Sequence, residues 1–203
     1  MRQPFMTRSG VWPGAMIAML IAGSLAACSS SPAGQGAGGL RTLLIRGKPA
    51  VASGSVSPGQ LGEFTAYVDN PAGGPVILVS ASLIPIAGHP AGRLAAVAVA
   101  QRRGTIGFGR GWPPTSRVMP FTGARLGHGH ADVVFAMTGA RAGINYMAAG
   151  LSIVYRYHGH RHTVRAYAAS VACVTKGAGG AAAACAAAAR QAQQATQRLA
   201  ARP

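Results

Sequence analysis

Residues 151–166 read LSIVYRYHGHRHTVRA, and their alternation decides the fold class. Side chains along a strand point to opposite faces in turn, so Leu151, Ile153, Tyr155 and Tyr157 share one face. With His158-Gly159 as a two-residue turn, they stand opposite Ala166, Val164, His162 and His160 respectively. The other face sets Ser152, Val154 and Arg156 against Arg165, Thr163 and Arg161. That register gathers the larger apolar residues on one side, as a half-buried antiparallel pair requires. A hairpin is therefore expected from Leu151 to Cys173.

The same short apolar segments recur upstream between Gly- and Pro-rich breaks. Leu40–Arg46, Glu63–Val68 and Pro75–Ile86 are rich in the Val, Ile, Leu, Thr and Tyr that favour strands. Ala95–Ala100 and Thr105–Phe108 are shorter candidates. His130–Met137 alternates, with Val133, Phe135 and Met137 on one side. GSVSPGQLG (54–62) and DNPAGG (69–74) read as turns, and RGWPPTSRVMPFTG (110–123) as a loop around Trp112. Many short strands separated by turns argue for a sandwich or barrel. We expect an all-β fold, an immunoglobulin-like β-sandwich of about seven strands spanning residues 40–174.

Past Cys173 the character changes. Gly177–Gly180 breaks the sheet, and AAAACAAAARQAQQATQRLAAR (181–202) follows, built of the strongest helix formers. Arg190, Gln194, Arg198 and Arg202 recur every four residues as one polar stripe, with the cations where the helix dipole favours them. Leu199 is its single large apolar residue, so fraying is expected beyond the first turn.

The N-terminal region carries a separate message. Met1–Gly10 holds Arg2 and Arg8 and no acid, and Val11–Ala27 is apolar or small apart from Pro13 and Ser24. A basic head, an apolar stretch and small residues before a break make a secretory signal peptide. Its last residues and the next, Leu25-Ala26-Ala27-Cys28, resemble the lipobox of bacterial lipoprotein precursors at every position of that motif. The resemblance implies that the Cys28 thiol receives a diacylglyceryl group and that the chain is cut just before it. A thiolate is the nucleophile such chemistry needs near neutral pH, and two acyl chains supply the stable attachment that one does not. Ser29–Gly39 then forms a flexible tether spanning roughly 18 Å. The expected organisation is a signal peptide (1–27), a lipidated cysteine and tether (28–39), a β domain (40–174) and a Gly linker with an Ala-rich helix (175–203).

The resemblance also organises the cysteines. With Cys28 committed to lipid, Cys173 and Cys185 remain as a pair, and outside the cytoplasm such a pair is a disulfide. Closing so short a loop is worth about 3 kcal/mol in the chain-entropy model.

Removing residues 1–27 takes the 19 basic residues to 17 against 3 acidic ones, a formal charge of +14. The basic residues are scattered singly from Arg41 to Arg202 rather than blocked, which argues against a nucleic-acid tail. In an exported protein they favour anionic lipid headgroups or phosphate-bearing wall polymers. The preference for Arg over Lys, with abundant Ala, Gly and Pro, is also what a GC-rich genome produces.

Little in the sequence points to catalysis. The three carboxylates are Glu63, Asp69 and Asp132, with Asp69 in a turn-like Asp-Asn-Pro. No Gly-x-Ser-x-Gly elbow, dinucleotide fingerprint or phosphate loop is present. The histidines are the sharper feature: His128, His130, His158, His160 and His162 make up five of the six. Two such clusters meeting in space would suit zinc or copper, with Met119 or Met147 added for copper(I). Exported β-sandwich copper chaperones are similar in outline, but their His-x-Met signature is missing. The alternative is solvated histidines stacked on Tyr155 and Tyr157. Trp112, with Arg110, reads either as a ligand platform or as a plug for one end of the sandwich. The expectation is a non-enzymatic, membrane-anchored envelope lipoprotein, with copper or zinc binding as the second reading.

Overall fold

The computed structural model describes residues 39–71, 74–101, 108–114, 117–176 and 181–202. The chain divides into two compact units, Met1–Ser30 and Ser31–Pro203, and all described residues belong to the second. Cys28 and the signal segment therefore lie outside the described residues.

The described strands are β1 (Arg41–Thr42), β2 (Ala50–Val56), β3 (Leu61–Asn70), β4 (Val76–Pro85), β5 (Arg93–Ala100), β6 (Gly109–Arg110), β7 (Val118–Pro120), β8 (Arg125–Leu126), β9 (Gly129–Thr138), β10 (Asn145–Tyr157) and β11 (His160–Val174), followed by helix α1 (Ala181–Ala200). Seven strands have seven or more residues, and the other four have two or three. One sheet runs β1-β3-β9-β5-β7, with β6 also on β3, and the second runs β2-β11-β10-β4-β8. All pairings between named strands are antiparallel except that of β2 with β11.

The central hairpin forms in the register its alternation dictates. Leu151 pairs with Ala166, Ile153 with Val164, Tyr155 with His162, and Tyr157 with His160. His158 and Gly159 take positive φ values of 47° and 81°, the conformation a tight two-residue hairpin turn requires. Leu151, Ile153, Tyr155, Val164 and Ala166 meet Phe64, Val68, Val133, Phe135 and Met137 from the first sheet in one buried core. The molecule is thus mostly β, with two sheets face to face and their large side chains between them. A bulge between Ala148 and Gly150 shifts the β10 register. Gly150 adopts φ +128°, and a Cβ there would run into the Ala166 carbonyl, so only glycine fits.

Beyond the bulge the outer face of the second sheet becomes apolar. Met147, Ala149, Ala169, Val171 and Cys173 meet Cys185, Ala188 and Ala192 of α1 in a second buried cluster, flanked by Ala195 and Leu199. This corrects the expectation of a frayed helix: α1 is continuous through Ala200, and Thr196 is fully buried beside the alanines. The alanines do the packing, since small side chains bring the helix close enough for its whole length to exclude water. The Arg190, Gln194, Arg198 and Arg202 stripe faces solvent. Cys173 and Cys185 form a disulfide.

Several boundaries differ from the sequence reading. The strand expected over Leu40–Arg46 stops at Thr42, because Arg46 and Gly47, both at positive φ, turn the chain back so that Ile45 bridges Lys48. GSVSPGQLG is not all turn: its first three residues end β2, and the reversal is confined to Ser57–Gln60. Gly54 belongs in that strand because the Phe108 ring lies where a Cβ would stand. Asp69 and Asn70 are the last residues of β3 rather than a turn. The 110–123 loop contains β7, and its first residue, Arg110, ends β6. Most of the expected Thr105–Phe108 strand, and Gly177–Gly180, lie outside the described residues.

Candidate functional site

The described chain enters the domain at Gly39, packed against Tyr157 and the Asn70 side chain. Asn70 is fully buried, and its Nδ2 donates to the carbonyls of Gly74 (2.9 Å), Gly127 (3.0 Å) and Leu126 (3.3 Å). It thereby ties the β3–β4 turn to the β8–β9 connection. Its Oδ1 finds no hydrogen-bond partner among the described residues. The β10–β11 turn closes the same end, since a Cβ on Gly74 would touch both Tyr157 and His158.

Both histidine stretches belong to this end. On the hairpin, the His162 ring stacks on Tyr155 at 5.5 Å between centroids, and His158 meets Tyr157 edge-on at 4.1 Å. His160 is exposed. On the first sheet, His130 Nδ1 donates to Asp69 Oδ1 at 2.9 Å, directly across the β3–β9 pairing. Asp69 Oδ2 accepts from Arg41 Nε at 2.8 Å and Nη2 at 2.7 Å. Arg41 comes from β1, so the first strand after the entry point is clamped to a buried carboxylate. The contact with Asp69 orients the His130 ring through Nδ1. Two residue pairs further, on the same face, Tyr67 lies opposite Asp132. Burial pushes the Tyr67 phenol above its ordinary value, and the Asp132 charge adds to the rise.

Beside this row opens a cavity of about 310 Å³ lined by Met119, Arg125, His128, His130, Asp132 and Gln101, among others. Of the groups that sequence reasoning offered for metal, it gathers His128, His130 and Met119 only. His158, His160 and His162 sit on the other sheet, and Met147 is buried beneath α1. Among the described residues, no group of three or more His, Cys, Asp or Glu side chains could hold a metal ion. The five histidines are not drawn into one ligand set because the aromatic rings engage His158 and His162 while Asp69 engages His130.

Arg110 and Trp112 lie at the opposite end. Arg110 Nε donates to the Ser55 carbonyl at 3.1 Å. A small recess of about 180 Å³ there is lined by Ser55, Ser57, Gln60, Arg110, Thr175 and Lys176. Trp112 is half-buried, precedes a cis proline and does not line that recess. On β3, Glu63 touches Gly109, and burial raises its pKa above the usual carboxylate range.

Sequence reasoning missed the Arg41–Asp69–His130 clamp and the Asn70 hub. The available signal was period two: Tyr67 and Asp69 share one face of β3, as His130 and Asp132 do on β9. Reading Asp-Asn-Pro as a turn concealed it. Comparison with known protein families, curated proteins and solved structures gives no match.

Proposed function

We propose that the chain is an exported lipoprotein of a bacterial cell envelope, held to the membrane through Cys28 and presenting an immunoglobulin-like domain with a non-enzymatic binding or structural role. The observation that carries the reading is Leu25-Ala26-Ala27-Cys28 after a basic head and an apolar stretch, followed by a tether of Ser, Pro, Ala, Gly and Gln. The Cys173–Cys185 disulfide supports it, because such bonds persist in oxidising compartments outside the cytoplasm.

Strand order supports the immunoglobulin-like assignment. With β1 and β2 sharing the role of strand A, and β3, β4, β5, β9, β10 and β11 as B to G, the sheets read A-B-E-D and A′-G-F-C. Tyr146 adds a second mark. It stands near the start of the F-equivalent strand, and its hydroxyl accepts the Arg141 backbone N–H at 3.1 Å. That contact resembles the tyrosine corner of immunoglobulin-like domains and supports the reading. Its ring occupies the space a Cβ on Gly139 would need.

Two of the three carboxylates are engaged in ways that favour structure over catalysis. Asp69 is held by Arg41 and His130, and Asp132 is buried opposite Tyr67. Replacing Cys28 by Ser tests the anchoring: the native chain should incorporate labelled fatty acid and lose residues 1–27, and the variant should do neither. A native chain that takes up no more label than Cys28→Ser would refute it.

A further inference from the structure

We propose that the end of the domain carrying the β10–β11 turn is a docking face for anionic lipid, an inference that rests on Cys28 being the membrane anchor. Gly39, where the tether joins the domain, packs against Tyr157 next to that turn. Gly39 lies only eleven residues after Cys28, so this is the end of the domain that the chain can bring against a bilayer, where the surface potential decays over a Debye length of about 8 Å.

Charge is arranged to match. Arg125, Arg156 and Arg161 are exposed at this end, among the five clustered histidines. Arg156 stands directly opposite Arg161 across the hairpin. Like charges in that relation destabilise a sheet, and among the described residues no ion pair with a carboxylate offsets either of them. Asp69 and Asp132 are the acids nearest this end, and both are buried. Glu63, the third, pairs with Ala136 and Gly109, toward the other end. The face therefore presents cations to solvent and withholds both of its anions. An anionic bilayer supplies the missing counter-charge.

The test uses the unlipidated second unit, Ser31–Pro203, which contains all the described strands and both buried clusters. Sedimentation is measured with vesicles of equal parts phosphatidylglycerol and phosphatidylcholine, and with phosphatidylcholine alone. Binding to the anionic vesicles only is expected, and it should vanish at about 1 M salt, where the Debye length is about 3 Å. Arg156→Gln with Arg161→Gln should weaken it about 30-fold, each arginine at the surface being worth about fivefold. The charge-matched pair Arg93→Gln with Arg141→Gln, exposed near the far end, should weaken it by less than about twofold. Thermal melts verify that both variants fold. Equal binding to both vesicle types, equal weakening by both pairs, or binding to wall polymer with none to anionic vesicles would each overturn the proposal. Because this unit lacks Cys28, its behaviour is independent of acylation. Failure of the anchor is read separately, from fatty-acid labelling of the native chain against Cys28→Ser.

Discussion

The two ends of the sandwich are held by different physics. At the entry end, a buried amide and a buried carboxylate draw separate strands together: Asn70 bonds three carbonyls, and Asp69 joins Arg41 to His130. At the far end, a covalent bond and an alanine face do the work, with Cys173–Cys185 fastening α1 over Met147, Ala169 and Val171. The entry end is polar, cationic and rich in aromatic–histidine contacts, whereas the far end is closed by long-range backbone hydrogen bonds such as Gly143 N–H to Val174 O at 2.7 Å. Covalent closure depends on an oxidising compartment. The polar clamp does not, so the entry end is expected to keep its shape when the thiols are reduced.

The largest break in that comparison comes from the far end. Replacing Cys173 and Cys185 together by Ser should lower unfolding stability by about 3 kcal/mol. Amide exchange should then rise along Ala186–Ala200 while β11 near Val164 stays protected. If the hairpin loses protection as fast as the helix, the two ends are one cooperative unit. Asn70→Ala should cost about 2 kcal/mol, a few net hydrogen bonds at about 1 kcal/mol each. That loss should appear in urea unfolding with the disulfide intact and should loosen the β3–β4 and β8–β9 connections first.

The smallest effect sharpens the contrast between buried and half-buried acids. Glu63 has a raised pKa because burial disfavours its charged form. Its native state therefore holds the proton to higher pH than the unfolded chain does, and stability falls as pH rises from the ordinary glutamate value through the raised one. Glu63→Gln should remove that fall, leaving the variant slightly more stable at neutral pH and the two proteins closer in acid. A native chain whose stability is flat over that interval would contradict this.

The β10–β11 register was legible because alternation ran unbroken through Leu151–Tyr157 and the turn residues admit positive φ. What escaped had weak local signals. Strand β2 contains Ser53, Gly54 and Ser55, poor strand formers held in place by parallel pairing with β11 and by the Phe108 ring over Gly54. The burial of α1 was hidden because alanine carries little hydrophobicity of its own. Only the flat apolar patch from Met147 to Cys173 turns it into a packing face. At the site, the histidine–tyrosine stacking followed from spacing. The Asp69–His130 pair joins residues 61 positions apart and needed the β3–β9 register.

The intact mass of the protein extracted from its native membranes tests the central claim most directly. A chain beginning at Cys28, carrying a diacylglyceryl group there and gaining the mass of two hydrogens when Cys173–Cys185 is reduced, is the expected result. A chain that keeps Met1 with an unmodified Cys28 would contradict it.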